Sequence, residues 1–132
     1  MSETTSLPFL TLRILSERLA ICRLPGGVAL PDWARAGEFC SITWSRDETS
    51  IVCAENLGPD VVQANPGWRA LMVVGPLDFS LTGILAMLAQ PLAGAQISIF
   101  AISTFDTDYV LVKESTLDAA IQMLSESGHL IV

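Results

Sequence analysis

The sequence predicts an α+β fold in which two helices lie on one face of a mainly antiparallel sheet. Three observations carry that prediction. Residues 68–132 follow the order strand, helix, strand, strand, helix, strand when read by hydrophobic period. Each helical stretch has one apolar stripe, so each needs one surface to cover. And 51% of the 132 residues are hydrophobic, which suits one compact domain or two very small ones sharing a core.

In the first half, residues 10–15 and 19–24 read as strands joined at Ser16, Glu17 and Arg18. The Pro25-Gly26-Gly27 loop follows, then a single helical turn at residues 31–35. Residues 39–44 and 50–55 form a hairpin around Arg46-Asp47-Glu48-Thr49, and the two prolines and two glycines of residues 56–67 suggest a linker. In the second half, residues 68–75 are a partly β-branched apolar run, hence a strand. Pro76 bars its continuation, and Asp78 and Ser80 are candidate helix caps. Leu81, Leu85, Leu88 and Leu92 then form one helical stripe, which Pro91 should close. Residues 97–103 alternate as a strand, residues 104–107 turn, and residues 109–113 return. Ser115 with Asp118 resembles a capping box, Leu117, Ala120, Ile121 and Leu124 give the helix its apolar face, and Gly128 is placed to end it. Residues 129–132 make a last strand. This order is the split βαβ, or ferredoxin-like, arrangement.

Composition removes several function classes. A formal charge of −7 with no basic run speaks against nucleic acid or an anionic membrane as the main partner. No charged residue lies between Asp78 and Asp106, but Gln90, Pro91, Gly94, Gln96 and Ser98 interrupt that stretch and its period changes midway. It reads as a buried helix followed by a buried strand rather than a membrane segment. Cys22, Cys40 and Cys53 lack metal-ligand spacing and sit in apolar runs, so they read as reduced packing residues of a cytoplasmic protein. His129 is the one histidine, which leaves serine nucleophiles without a base and cysteines without a metal-binding partner. No Walker loop, GxGxxG or GxSxG motif is present. The expectation is a chain with no catalytic residues, no metal and no cofactor.

The residues that ask for a role are Ser103, Thr104, Asp106, Thr107 and Asp108, between two apolar strands. Asp106 reads as a turn former. Asp108 begins the returning strand and, if the split βαβ pairing holds, faces the head of the first helix. Free N–H groups there attract a carboxylate, while Asp108 attracts a cation; a free α-amino acid carries both charges. Residues 45–55 also align weakly with residues 104–114, Asp47 over Asp106 and Glu55 over Glu114, which suggests two related modules.

Residues 75–85 (GPLDFSLTGIL) followed by 97–112 (ISIFAISTFDTDYVLV) resemble the ACT-domain superfamily, in particular its small bacterial tandem members related to the CASTOR arginine sensors and the regulatory part of aspartate kinase. The resemblance implies a degenerate ACT-like module at residues 1–66, an ACT domain at residues 67–132, and an amino acid bound where ACT modules meet. It places ligand contacts at Asp78, Phe79, Ser80, Leu81, Thr82, Gly83 and Ile84, opposite Thr104, Phe105 and Asp108. Ser80 and Thr82 stand where Asp and Pro are usual, which puts the ligand's identity in question more than its location. Thr49 holds the repeat position of Asp108, so the first module is expected to lack a full site. The resemblance further implies a homodimer and a regulated protein partner. The contrasting expectations are a ligand-free interaction module and an RNA-binding ferredoxin-like domain, the latter opposed by the acidic balance.

Overall fold

A computed structural model describes residues 9–55, 63–75, 77 and 82–132. Eight strands form one sheet: β1 (Thr11–Ile14), β2 (Leu19–Pro25), β3 (Cys40–Trp44), β4 (Glu48–Ala54), β5 (Gln63–Val73), β6 (Ile99–Ser103), β7 (Asp108–Lys113) and β8 (Leu130–Ile131). Two helices, α1 (Ile84–Gly94) and α2 (Leu117–Glu126), interleave with β5 to β8 in the expected ferredoxin-like order, and short 3-10 turns occupy Asp32–Arg35 and Glu114–Thr116.

The long strand β5 organises the sheet. On one side it pairs with β7 (Trp68↔Lys113 through Met72↔Tyr109), and β6 pairs with β7 beyond it. On the other side, β2 runs along its first part and β1 along its last, both antiparallel. The final strand β8 does not reach β5; it pairs in parallel with β1 (Thr11↔Leu130, Leu12↔Ile131). β1, from the beginning of the chain, is thus inserted into the sheet of the second half.

Side-chain alternation sorts the interior by face. Leu12 of β1, Leu71 and Val73 of β5, and Val110 and Val112 of β7 pack beneath Ile84, Leu88 and Leu92 of α1 and Leu117, Ala120 and Leu124 of α2. The opposite face gathers Leu19, Val52, Trp68, Ala70 and Leu111, with Phe39, Phe100 and Tyr109 beside them. A third cluster packs Cys22 and Cys53 with Leu24, Ala34 and Ile51 in the first half.

Several local expectations are corrected. Gln63 to Gly67, assigned to a linker, open β5. Pro66 and Gly67 form a bulge there: Leu19 pairs with Trp68 but Ile21 with Asn65, so β5 carries one residue more than β2 at this point. Gly67 has the left-handed φ of 84° that such a bulge favours in glycine. The rest of that linker assignment, residues 56–62, lies outside the described residues. Pro91 sits inside α1, which runs on to Gly94 because the fully buried Leu92 anchors the last turn. Ser115 makes no capping bond at α2; Thr116 is the N-cap residue, and its hydroxyl donates to the Lys113 carbonyl at 2.9 Å. Gly128 does end α2 in a left-handed turn (φ 100°), with His129 N–H bonding back to Leu124 C=O and Gly128 N–H to Ser125 C=O.

Beyond that turn, buried His129 ties the chain's two ends together. The Leu10 N–H donates to its Nδ1 at 3.1 Å, which requires the neutral ring, and burial pushes its pKa below the usual 6.5. The stability this group contributes is complete above pH 6.5 and is lost as pH falls, because the unfolded chain binds the proton more readily. Urea melts between pH 7 and 5.5 should therefore show wild-type stability falling with acid, and falling less in His129→Asn. Parallel curves would place the pH sensitivity elsewhere.

Candidate functional site

Leu77 beyond β5, the head of α1 and the β6–β7 turn border a cleft of about 320 Å³. The turn is held from within and from behind. Thr104 N–H donates to Thr107 C=O at 2.8 Å, and the Thr104 hydroxyl donates to the same carbonyl at 2.9 Å. The Thr107 N–H returns a bond to Thr104 Oγ1 at 3.3 Å, so a threonine side chain stands in for backbone in the turn. Buried Thr107 donates its hydroxyl to Val73 C=O, and Leu77 N–H donates to Asp106 C=O at 2.7 Å, bolting the turn to the end of β5. Gly75 permits this approach: a Cβ there would stand 2.9 Å from Leu77 N.

Asp108 is half-buried at the first residue of β7, opposite Ser103. Across the cleft stands Gly83, the N-cap residue of α1, at φ 79° and ψ 3°. Gly83 has no side chain to cap this helix, and the first turn carries no acidic residue; the predicted caps Asp78 and Ser80 lie outside the described residues. The N–H groups of the first turn have no carbonyl partner within the helix, so the cleft sets a partial positive charge against a carboxylate.

Of the ten predicted site residues, Gly83, Ile84, Thr104, Phe105 and Asp108 line this one cleft. Thr82 is exposed but does not line it, and Asp78, Phe79, Ser80 and Leu81 lie outside the described residues. Ile84 is 5% exposed and packs in the core, so it forms wall more than contact. Sequence reasoning missed Leu77 and Leu85, whose apolar character signals burial without signalling which cavity they border. Asp106, read as a turn former, and Thr107, singled out but given no ligand contact, both line the cleft. All the described lining residues come from the second half of the chain.

Other chemistry is quiet. Burial pushes the Cys53 thiol up to about 12, with the neighbouring Cys22 and Cys40 adding to the shift, and burial raises Cys22 and Cys40 as well. These are protonated packing residues rather than nucleophiles. Among the described residues, no group of His, Cys, Asp or Glu is placed to hold a metal ion, and no helix is long and apolar enough to cross a membrane.

Residues 63–126, which contain the whole cleft, match the ACT-domain family. That segment of the chain belongs to the ACT-domain superfamily. Residues 17–60 match a separate family of N-terminal domains. The crystal structure of an Agobacterium tumefaciens protein is 39% identical, superposes with a TM-score of 0.89, and covers 96% of this chain and 94% of that one. The human cytosolic arginine sensor for mTORC1 subunit 1 is 45% identical over 58 residues, which make up 43% of this chain and 18% of that protein. This chain therefore matches less than a fifth of that curated relative. The regulatory subunit of aspartate kinase from Thermus thermophilus shares the fold at 13% identity, with a TM-score of 0.63 over 89% of this chain and 97% of that one. The fold is α+β, with the ferredoxin-like element order in its second half; among its described residues the first half contributes strands and one 3-10 turn but no α-helix.

Proposed function

We propose that this ACT protein is a non-catalytic cytoplasmic sensor that binds a free amino acid in the cleft between α1 and the 104–108 turn. The observation that carries the reading is that Asp108 and Gly83, at the head of α1, line one cavity. The helix N–H groups take the ligand's carboxylate, and Asp108 takes its ammonium or cationic side chain. The family resemblance assigns further ligand contacts to residues 78–81. The cleft is open, and a second copy in a homodimer supplies the remaining wall, as the family resemblance implies. Occupancy then signals to a regulated partner by favouring one arrangement of modules. On this reading the degenerate module spans residues 1–66 and the ligand-binding ACT domain residues 67–132.

L-Arginine heads the list of ligands, because an arginine sensor is 45% identical over 58 residues. Thermal melts with each common amino acid test the proposal. Ligand at a hundred times its dissociation constant adds about 2.7 kcal/mol of stability, and Asp108→Ala should abolish that gain while keeping the fold. If no amino acid raises the melting temperature, the chain is a ligand-free interaction module instead.

A further inference from the structure

A second cavity, of about 380 Å³, opens where the two halves of the chain meet on the helix-free face of the sheet. It shares no lining residue with the first cleft. Arg13 of β1, the following Glu17, Glu38 and Phe39, and Tyr109 of β7 are among the residues that line it. The register Arg13↔Met72↔Tyr109 places the arginine and the tyrosine in one cross-strand row on the same face.

The charges here are opposed but unpaired. Arg18, Arg35 and Arg69 make ion pairs, and Arg23 and Lys113 make hydrogen bonds. Arg13 has no partner among the described residues, although two carboxylates line the same cavity. Glu17 is fixed in place by the backbone N–H groups of Glu38 and Phe39, both at 3.2 Å. The Glu38 carboxylate and the Tyr109 hydroxyl also have no partner among the described residues. Phe39 meets Tyr109 edge-on, with centroids 4.9 Å apart, and gives the cavity a rigid aromatic wall.

We propose that this junction cavity is a second small-molecule site and that its ligand is a zwitterion of amino-acid size. Arg13 and the Tyr109 hydroxyl hold the carboxylate, Glu17 and Glu38 hold the ammonium, and the aromatic pair bounds the side chain. The volume falls at the small end of ligand pockets, roughly 300–1,000 Å³, which suits one free amino acid. The inference does not depend on the reading of the first cleft. It adds a site formed jointly by both halves of the chain.

Tyr109 is the chain's one tyrosine, so protein labelled with fluorotyrosine gives a single fluorine NMR line that reports on this cavity. Titrating each common amino acid, with acetate and methylamine as controls, should reveal one that moves the line equally in wild type and in Asp108→Ala. Arg13→Gln, at an exposed position, should weaken that response at least tenfold with the melting temperature unchanged. The proposal is overturned if no amino acid moves the line in Asp108→Ala, if the response survives Arg13→Gln, or if acetate alone reproduces it. Amide shifts at Gly83 and Thr104 follow the first cleft separately, so the failure of either site is seen independently of the other.

Discussion

Leu12→Ala should lower the unfolding free energy by about 3 kcal/mol, within the usual 2–5 kcal/mol for a large-to-small change at a buried leucine. Leu12 is 0% exposed, pairs with Val73 on one side and Ile131 on the other, and packs in the core beneath both helices. Domains of this size are commonly stable by only about 5–15 kcal/mol, so the loss is a large share of the total. Urea denaturation should show a lower midpoint at an unchanged slope. The same placement makes a stronger demand. A fragment of residues 63–132 lacks β1, leaving β8 without its pairing strand and the end of β5 unpaired on the edge away from β7. That fragment is expected to lose its near-UV circular dichroism and melt without cooperativity, even though it contains every residue matched by the ACT family. A cooperative melt at the wild-type midpoint would mean that β1 is dispensable.

Gly26→Ala is the second large effect, about 3 kcal/mol of destabilisation by overpacking against backbone that cannot yield. A Cβ at Gly26 would overlap the Arg46 carbonyl and stand 2.9 Å from the Asp47 carbonyl carbon. The turn after β2 thus lies directly on the β3–β4 hairpin, where Gly27 N–H also donates to Ser45 C=O at 3.2 Å. Gly94→Ala provides the contrast. A Cβ at that helical glycine meets nothing within 4 Å, and alanine is better there than glycine by up to about 1 kcal/mol. Thermal melts of the two variants should move in opposite directions. If Gly26→Ala melts like wild type, the loop and hairpin are not in contact in solution.

The candidate site was legible to the extent that its chemistry is local. Thr104, Thr107 and Asp108 stand out because polar turn residues interrupt two apolar strands, and the structure makes the first two into a self-bonded turn. Gly83 was marked by the family's loop pattern, and it takes a left-handed conformation at the head of α1. Leu77 and Leu85 could not be distinguished from other buried leucines, because an apolar side chain reports that it is buried and not what it faces. The junction cavity was invisible for the same reason: Arg13 and Tyr109 are far apart in sequence and meet only through the pairing of β1, β5 and β7.

Hydrophobic period, turn residues and helix-ending glycine determined from sequence alone that β5 to β8 and the two helices exist and in what order; the buried face of α1 is Ile84, Leu88 and Leu92 rather than the predicted stripe through Leu85. Those signals act over a few residues, so they survive without knowledge of partners. Only the tertiary structure decided that β1 lies between β5 and β8, that Pro66 and Gly67 bend a strand instead of ending one, and that the two halves share a sheet. An alternating run such as residues 10–15 presents the same backbone donors and acceptors to any strand. Its partner is chosen by the burial of Leu12 in a core assembled from the rest of the chain.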